Sequence, residues 1–276
     1  MDQLLSQQFL IRGQALSINL VFSNSSGLKY PQMPQWLGQS SSPTKSSGVF
    51  LMEGAAGVLV ADIDLSLAAD VAAECTALAV NNCFHAEAIQ VDITMENAVQ
   101  AFFHQTTEIL GRIDYCINSA ILEFSKPPTS QTLTREASIS TRTQEARAVS
   151  DHSPGRGTTR GAMVKLGSGS SLIATPGVLP YITSKHGALG LTLGNARHGI
   201  RVKCVCPSWT DTPMVERAVS GVEGLKDIIQ TAVPMGRIAM PEEEADAVIF
   251  LWNPRSSYVT GCSFVVDGGT TLTALR

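Results

Sequence analysis

The sequence has no excess of positive charge and no long uninterrupted apolar run. It contains 20 Lys and Arg against 24 Asp and Glu, which gives a formal net charge of -4. Nucleic-acid-binding domains usually carry a basic face, so this charge argues against a nucleic-acid partner. The first stretch, residues 1–23, alternates apolar and polar residues and lacks the features of a signal peptide or a membrane span. We therefore expect a soluble cytoplasmic protein that binds neither nucleic acid nor membrane.

Spacings typical of metal sites and disulfides are also missing. The six cysteines are scattered, mostly inside apolar runs, and form no C-x-x-C pair. This usage is typical of buried free thiols in a reducing compartment. The five histidines have no metal-like spacing either, and we interpret His85 and His186 as packing or surface residues. No metal ion is expected.

The chain changes character near residue 49. Residues 1–48 are rich in Ser, Gln and Pro and show no sustained strand or helix period, which predicts a poorly ordered leader. The remaining residues, 49–276, are enough for one large domain with a sizeable core. We find no internal repeat, so a single domain is the simplest interpretation.

Apolar strands alternate with helical segments through this domain. The run Gly57–Asp62 is almost wholly apolar, as in a strand buried on both faces. The other predicted strands are 88–91, 113–118, 162–167, 200–206 and 263–267, and the predicted helices are 65–79, 95–110, 181–193, 214–232 and 242–252. This alternation predicts βαβ units, and so an α/β fold with a doubly wound parallel sheet. Residues 123–160 are polar and contain three prolines, which predicts at best a degraded helix there.

The motif with most chemical meaning is Tyr181-Ile-Thr-Ser-Lys185. Positions i and i+4 share one face of a helix, so the phenol and the ammonium can converge. A nearby cation favours the phenolate and makes tyrosine a better proton acceptor near neutral pH. An isolated pair of this kind is more often a solvated helix face. Here, however, Ser168 stands thirteen residues earlier at the end of an apolar strand, where ligands bind in open parallel sheets.

Ser168, Tyr181 and Lys185 resemble the catalytic residues of the short-chain dehydrogenase/reductase family. The resemblance extends from about Gly54 to Leu272. The further segments that resemble family motifs are Val91–Thr94, Asn118–Ala120, Pro207–Thr212, Pro234–Arg237 with Pro241–Glu243, and Tyr258–Gly261 with Val266–Gly269. The sequence of Cys204–Trp209 resembles that of fungal family members that modify secondary metabolites.

The resemblance implies a Rossmann-like fold and an NAD(P)-dependent oxidoreductase that interconverts an alcohol and a ketone on a small metabolite. Tyr181 would act as acid and base, Lys185 would lower the pKa of the phenol and bind the nicotinamide ribose, and Ser168 would hydrogen-bond the substrate oxygen. Ser168 could instead be a strand-end cap, and the neighbouring Ser170 and Ser171 keep that alternative open.

The same resemblance assigns the cofactor-binding residues. They are Asp62, Asp92, Asn118, Tyr181, Lys185, Pro207, Thr210 and Thr212. A carboxylate at Asp62, where the strand ends, would accept hydrogen bonds from the adenosine ribose and repel a 2′-phosphate, which favours NAD over NADP. Asp62 could alternatively cap the following helix, although Asp64 is better placed to do so.

Parts of the family pattern are missing. We find no first strand leading into a T-G-x-x-x-G-I-G loop, whose glycines let the backbone approach the pyrophosphate. The segment 123–160 contains no asparagine, whereas the family places a catalytic asparagine there. These gaps predict a degraded first strand and fourth helix. They also leave a rival hypothesis open, in which the chain is a family-derived scaffold or interaction protein that no longer binds dinucleotide. A homo-oligomer is predicted only because related members of the family commonly form dimers or tetramers.

Overall fold

The computed structural model describes residues 19–24, 55–79, 82–93, 95–119, 161–174, 179–193, 196, 199–221 and 223–273. The segment 123–160, with the predicted loss of the fourth helix, lies outside these residues, as does most of the predicted leader.

Strands and helices alternate in the described residues much as the apolar pattern predicts. The strands are β1 (Asn19–Asn24), β2 (Ala55–Asp62), β3 (His85–Gln90), β4 (Tyr115–Asn118), β5 (Gly161–Leu166), β6 (Ile200–Pro207) and β7 (Ser263–Val266). The helices are α1 (Leu65–Leu78), α2 (Glu96–Leu110), α3 (Leu179–Gly190), α4 (Pro213–Gly221), α5 (Leu225–Ala232) and α6 (Pro241–Trp252). The region 214–232, predicted as one helical stretch, is divided at Gly224, which has a φ of 77°. None of the described helices combines the length and apolarity required to span a membrane.

The strands of the described residues form one sheet in the order β3-β2-β1-β4-β5-β6-β7. The pairs β2–β3, β4–β5, β5–β6 and β6–β7 are parallel, which confirms the α/β, doubly wound fold. By contrast, β1 runs antiparallel to both of its neighbours, β2 and β4. The sheet is therefore mixed at its centre and not parallel throughout.

The strand β1 corrects two sequence expectations. It lies within residues 1–48, where no strand was predicted, and it occupies the central position that was expected to be degraded. The apolar run Leu20–Phe22 supplies a strand of suitable length. The facing edges of β2 and β4 carry backbone donors and acceptors that need partners, and a strand of either direction can satisfy them. Six residues of the predicted leader, Asn19–Asn24, thus form a strand, and for the rest of residues 1–48 the poorly ordered leader stays a prediction.

Two apolar layers, one on each face of the sheet, form the core. In β2, Val58 and Val60 face one layer and Leu59 and Ala61 face the other, as the alternation of a strand requires. The first layer is closed by α1 and α6, and the second by α2. The sheet is therefore covered on both faces, and its carboxyl edge is left for binding and chemistry.

Two buried cations of β6 bind the end of α6. Arg201 donates from Nη1 to the Leu251 carbonyl at 3.0 Å and from Nη2 to the Trp252 carbonyl at 2.9 Å. Lys203 also donates to the Leu251 carbonyl. The carbonyls at a helix C-terminus lack partners within the helix and carry partial negative charge, so two cations are well placed there. These bonds fix the orientation of α6 against the sheet.

Candidate active site

The predicted site residues lie along the carboxyl edge of the parallel strands. Asp62 ends β2, Asn118 ends β4, and Pro207 ends β6, while Ser168 follows β5 after one further residue. The register brings Asn118 opposite Lys165 of β5. At the same edge β1 begins, because Asn19 pairs with both Ala61 and Asn118. The central strand β1 thus begins at the edge where its two antiparallel neighbours, β2 and β4, end.

Helix α3 positions Tyr181 and Lys185 beside the end of β5. The Lys185 Nζ lies 5.7 Å from the centroid of the Tyr181 ring and donates a hydrogen bond to the Leu166 carbonyl at 3.0 Å. Lys185 is 4% exposed, whereas Tyr181 is only partly buried. No described residue hydrogen-bonds the Tyr181 phenol oxygen. The spacing of four residues therefore places a buried cation behind a more accessible phenol.

A short serine turn connects this helix to the strand. Ser168 caps the 3₁₀ turn Gly169–Ser171, and its Oγ accepts a hydrogen bond from the Ser170 amide at 3.1 Å. The capping alternative considered for Ser168 is thus present in the structure. It does not preclude the catalytic role, because the hydroxyl proton is still available to donate to a substrate oxygen.

Ser171 anchors the turn to α3. Its Oγ accepts from the Ser168 amide at 3.1 Å and donates to the Lys185 carbonyl at 2.9 Å. Ser171 is 1% exposed, so both bonds are shielded from water. A single buried hydroxyl therefore connects the serine turn to α3 at Lys185.

Two thiols of β6 lie beneath the same turn. The Sγ atoms of Cys204 and Cys206 are 3.8 Å apart, and both residues are fully buried. Their shared hydrogen bond raises the pKa of Cys204 and lowers that of Cys206, whose thiolate is also favoured by Ser171, by the Ser168 amide and by the charge of Lys185. A side chain at Gly167 would collide with two neighbours, because its Cβ would lie 2.6 Å from the Cys204 Sγ and 2.8 Å from the Ser171 Oγ. Glycine is therefore needed at position 167, where the chain leaves β5 close to β6 and to the serine turn.

The acidic residues lie on the other side of the central strand. Asp62 is 1% exposed, and its Oδ1 accepts from the Asp64 amide at 2.9 Å. Asp64 in turn caps α1, accepting from the Ser66 amide at 2.9 Å, so the helix-capping role belongs to Asp64 and not to Asp62. Asp92 follows β3, and its carbonyl accepts from the Met95 amide that precedes α2. Lys185 thus lies near Tyr181 and is linked to Ser168 through Ser171, while Asp62 and Asp92 lie across β1 from them.

The loop after β6 is paired with the segment before α6. Thr210 forms an isolated parallel bridge with Ala239, the Asp211 amide donates to the Ala239 carbonyl, and the Ala239 amide donates to the Trp209 carbonyl, both at 2.8 Å. Thr212 Oγ1 accepts from the Val215 amide at 3.4 Å and so caps α4. This pairing holds the segment Pro207–Thr212 over the carboxyl end of β6.

Sequence reasoning missed one residue of this region, Glu244. Its Oε1 accepts a hydrogen bond from Thr210 at 3.4 Å, and its Oε2 is buried without a partner among the described residues. Burial raises the pKa of Glu244 to about 8, as do the charges of Glu243, Asp267 and Cys206, while the Thr210 bond opposes the shift. The sequence did carry a signal. Glu244 precedes Val248, Leu251 and Trp252 at spacings of four, seven and eight, which makes it a carboxylate on an apolar stripe.

These residues match one part of a dinucleotide better than another. A buried ammonium, a phenol and a braced loop at a strand end suit a nicotinamide ribose, and a carboxylate after β2 suits an adenosine ribose. The pyrophosphate normally sits where a helix follows the central strand. In the described residues β1 begins at this edge, so that part of the cradle is not formed there. Also within the described residues, no three His, Cys, Asp or Glu side chains are grouped to hold a metal ion.

Comparison with known proteins identifies the class that this fold and site define. Residues 49–271 match the family model described as enoyl-(acyl carrier protein) reductase. Over 249 residues the chain is 53% identical to the short-chain dehydrogenase fogB of Aspergillus ruber, which covers 82% of this chain and 91% of that protein. The chain therefore belongs to the short-chain dehydrogenase/reductase family, whose members are oxidoreductases that use NAD(P).

Solved structures agree at the level of the fold. A 7α-hydroxysteroid dehydrogenase in complex with NADH and 7-oxo glycochenodeoxycholic acid superposes with a TM-score of 0.65 at 22% identity, over 76% of this chain and 83% of that one. A gluconate 5-dehydrogenase from Burkholderia cenocepacia, in complex with NADP and tartrate, superposes with a TM-score of 0.66 at 24% identity, over 78% and 85%.

Proposed function

We propose that this protein interconverts an alcohol and a ketone on a small metabolite, with Tyr181 as the group that exchanges the proton. The observation that carries the proposal is the placement of the Lys185 ammonium 5.7 Å from the Tyr181 ring, at the strand end that also bears Ser168. When NAD(P) is bound, its nicotinamide supplies or accepts the hydride. The residues of the chain handle the substrate oxygen and its proton.

Tyr181 donates its phenolic proton to a ketone oxygen during reduction and accepts the proton of an alcohol during oxidation. Lys185 is buried and places its ammonium 5.7 Å from the centroid of the Tyr181 ring, on the side of the phenol that faces the strand end. General acid–base catalysis of this kind contributes roughly 100- to 10,000-fold to the rate.

Ser168 fixes the substrate oxygen and stabilises the charge that develops on it. Because its Oγ already accepts from the Ser170 amide, the hydroxyl is held in place with its proton directed elsewhere. A donor that is fixed before the reaction begins stabilises the transition state without reorganisation. The Ser171 bonds keep this donor and the Lys185 helix in one geometry.

NAD is the proposed cofactor in preference to NADP. The argument rests on the Asp62 carboxylate at the carboxyl end of β2, which is suited to the hydroxyls of a ribose and repels a 2′-phosphate. The solved relatives do not decide between the two cofactors, because one was obtained with NADH and the other with NADP. Asp92, Asn118, Pro207, Thr210 and Thr212 complete the proposed contacts.

The biological setting that we propose is fungal secondary metabolism, in the cytoplasm. The relative in Aspergillus ruber and the style of Cys204–Trp209 support a fungal member of the family. A homo-oligomer is proposed from the family alone, and a monomeric mass in light scattering would contradict it.

The reversed direction of β1 favours a second candidate function, a scaffold that has lost dinucleotide binding. The central strand starts at the carboxyl edge instead of ending there, so it does not lead into a phosphate-binding helix at that edge. A protein with this arrangement could keep the fold and its catalytic side chains without retaining the cofactor.

A fluorescence titration with NADH and NADPH separates these two functions. Saturable binding, tighter for NADH, supports the oxidoreductase, and no binding of either supports the scaffold. If the cofactor binds, Tyr181→Phe should lower turnover by roughly 100- to 10,000-fold while the Kd for NADH stays unchanged, because the phenol acts on the substrate proton. Turnover retained by Tyr181→Phe would contradict the proposed role.

A further inference from the structure

The carboxyl group of Glu244 is the least expected polar group in α6. It lies in the first turn of that helix, one residue before the buried Ala245 and on the stripe that continues with Val248 and Leu251. Its Oε2 is buried without a hydrogen-bond partner in the described part of the chain. A buried carboxylate is costly unless it is paired, so this group needs a reason to be there.

Within the described residues, Thr210 in the loop that follows β6 is the side chain that hydrogen-bonds Glu244. Thr210 Oγ1 donates to Glu244 Oε1 at 3.4 Å, and Thr210 is 9% exposed. The same loop is paired by backbone bonds with Ala239, two residues before the start of α6. Loop and helix therefore form one unit, and Glu244 is the side chain that joins them from the helix.

The groups around Glu244 disfavour its charged form. Burial raises the pKa of Glu244 to about 8. The charges of Glu243 on the same helix, Asp267 after β7 and Cys206 on β6 act in the same direction. At neutral pH the carboxyl therefore holds its proton. The bond from Thr210 favours the ionised form, but burial and the negative neighbours outweigh it, so an ionised Glu244 would move towards water and displace the loop that is joined to it.

We propose that Glu244, in its protonated form, is a positioning residue that holds the Pro207–Thr212 loop in the shape required for nicotinamide binding. This inference rests on the proposed function, because it assumes that the loop contacts the cofactor. Ionisation of Glu244 releases the loop, so cofactor affinity falls on the alkaline side of neutrality.

The sign of the accompanying stability change follows from linkage. A glutamate in the unfolded chain titrates near its ordinary value of 4.5, whereas the folded protein retains the proton up to about pH 8. The folded state thus binds more protons between these values, and the stability contributed by Glu244 is full below pH 4.5 and declines as pH rises towards 8. A variant that cannot ionise lacks this decline.

The test measures two quantities from about pH 6 to about pH 9.5: the Kd for NADH by fluorescence and the thermal midpoint without cofactor. In the wild type we expect the Kd to rise about threefold across the alkaline limb, because the Thr210 bond of 3.4 Å is long and lies at the weak end of protein hydrogen bonds. Glu244→Gln retains an acceptor for Thr210 and has no proton to lose. Both its Kd and its thermal midpoint should therefore depend less on pH over this range.

Glu242→Gln is the matched control, because it removes one carboxylate from the same helical turn. It should keep the alkaline limb of the wild type. Glu244→Leu, which cannot accept from Thr210, should bind NADH weakly at every pH while remaining folded. An alkaline limb that persists unchanged in Glu244→Gln would overturn the inference. Absence of NADH binding by the wild type at any pH would overturn the proposed function, and the inference with it.

Discussion

The two halves of the sheet, β4 to β7 and β3 to β1, differ in strand direction and in the residues at their carboxyl ends. From β4 to β7 the strands are parallel, and Ser168, Ser171 and Lys185 are connected by buried hydrogen bonds of 2.9 to 3.1 Å. From β3 to β1 the strand order is that of a doubly wound sheet, but the central strand is reversed. The first half contains the residues of the proposed proton-transfer site, whereas in the second half the central strand begins at the carboxyl edge instead of ending there.

This difference shows that filling a sheet and building a site impose separate demands. The gap between β2 and β4 must be filled because their edge amides and carbonyls need partners, and β1 pairs six of its residues with β2 and four with β4. Backbone pairing of this kind tolerates either direction. A phosphate cradle does not, because it needs a strand that ends at the carboxyl edge and a helix that starts there.

The largest effect is expected from a break in the central strand. Val21→Pro removes an amide from a strand that has a neighbour on each side and should cost roughly 3 kcal/mol or more, a large share of a typical net stability of about 5–15 kcal/mol. Chemical denaturation followed by circular dichroism measures this change. Val21→Ile keeps the backbone amide and an apolar β-branched side chain, and should unfold near the wild-type midpoint. If Val21→Pro is as stable as Val21→Ile, β1 does not occupy the centre of the sheet in solution.

A smaller effect is expected when the two hydrogen bonds of the Ser171 hydroxyl are lost. Ser171→Ala removes the hydroxyl that joins the Ser168 amide to the Lys185 carbonyl and leaves both buried groups without it. We expect a destabilisation of about 1–3 kcal/mol and a lower kcat at unchanged NADH affinity. Ser170→Ala is the control, since its amide makes the bond to Ser168 and is kept. Equal behaviour of the two variants would show that the link is dispensable.

The smallest effect is expected at Asp62, at the end of β2, and concerns the preference for NADH over NADPH. Asp62→Asn keeps an oxygen that can accept from the Asp64 amide but removes the negative charge. If that charge repels a 2′-phosphate, the preference for NADH over NADPH should fall by about tenfold, as for one removed charge contact. The ratio of the two Kd values measures it. An unchanged ratio would place the discrimination elsewhere.

Much of the fold could be predicted because its signals are local. The buried run Val58–Ala61 indicated a strand, and Asp64 was identified as the better helix cap, as its bond to the Ser66 amide confirms. The direction of β1 could not be predicted, because an apolar run such as Leu20–Phe22 has the same period whichever way it runs. Its place depends on partners more than thirty residues away.

The candidate site shows the same division. Tyr181 and Lys185 are four residues apart on one helix, so their meeting follows from helical geometry alone. Glu244 and Thr210 meet across 34 residues and two elements, and only the folded chain reveals the contact. The polar residue within an apolar stripe was visible in the sequence, but its partner was not.

The position of β1 in the chain makes the middle of this sheet its most separable part. The central strand next to β2 and β4 comes before every other described element of the chain. It could leave the sheet without any other strand being unthreaded. A shortened chain that starts after Asn24 would then present a slot with two open edges. A peptide of the sequence Asn19–Asn24, added in trans, has the complementary backbone to rebuild it.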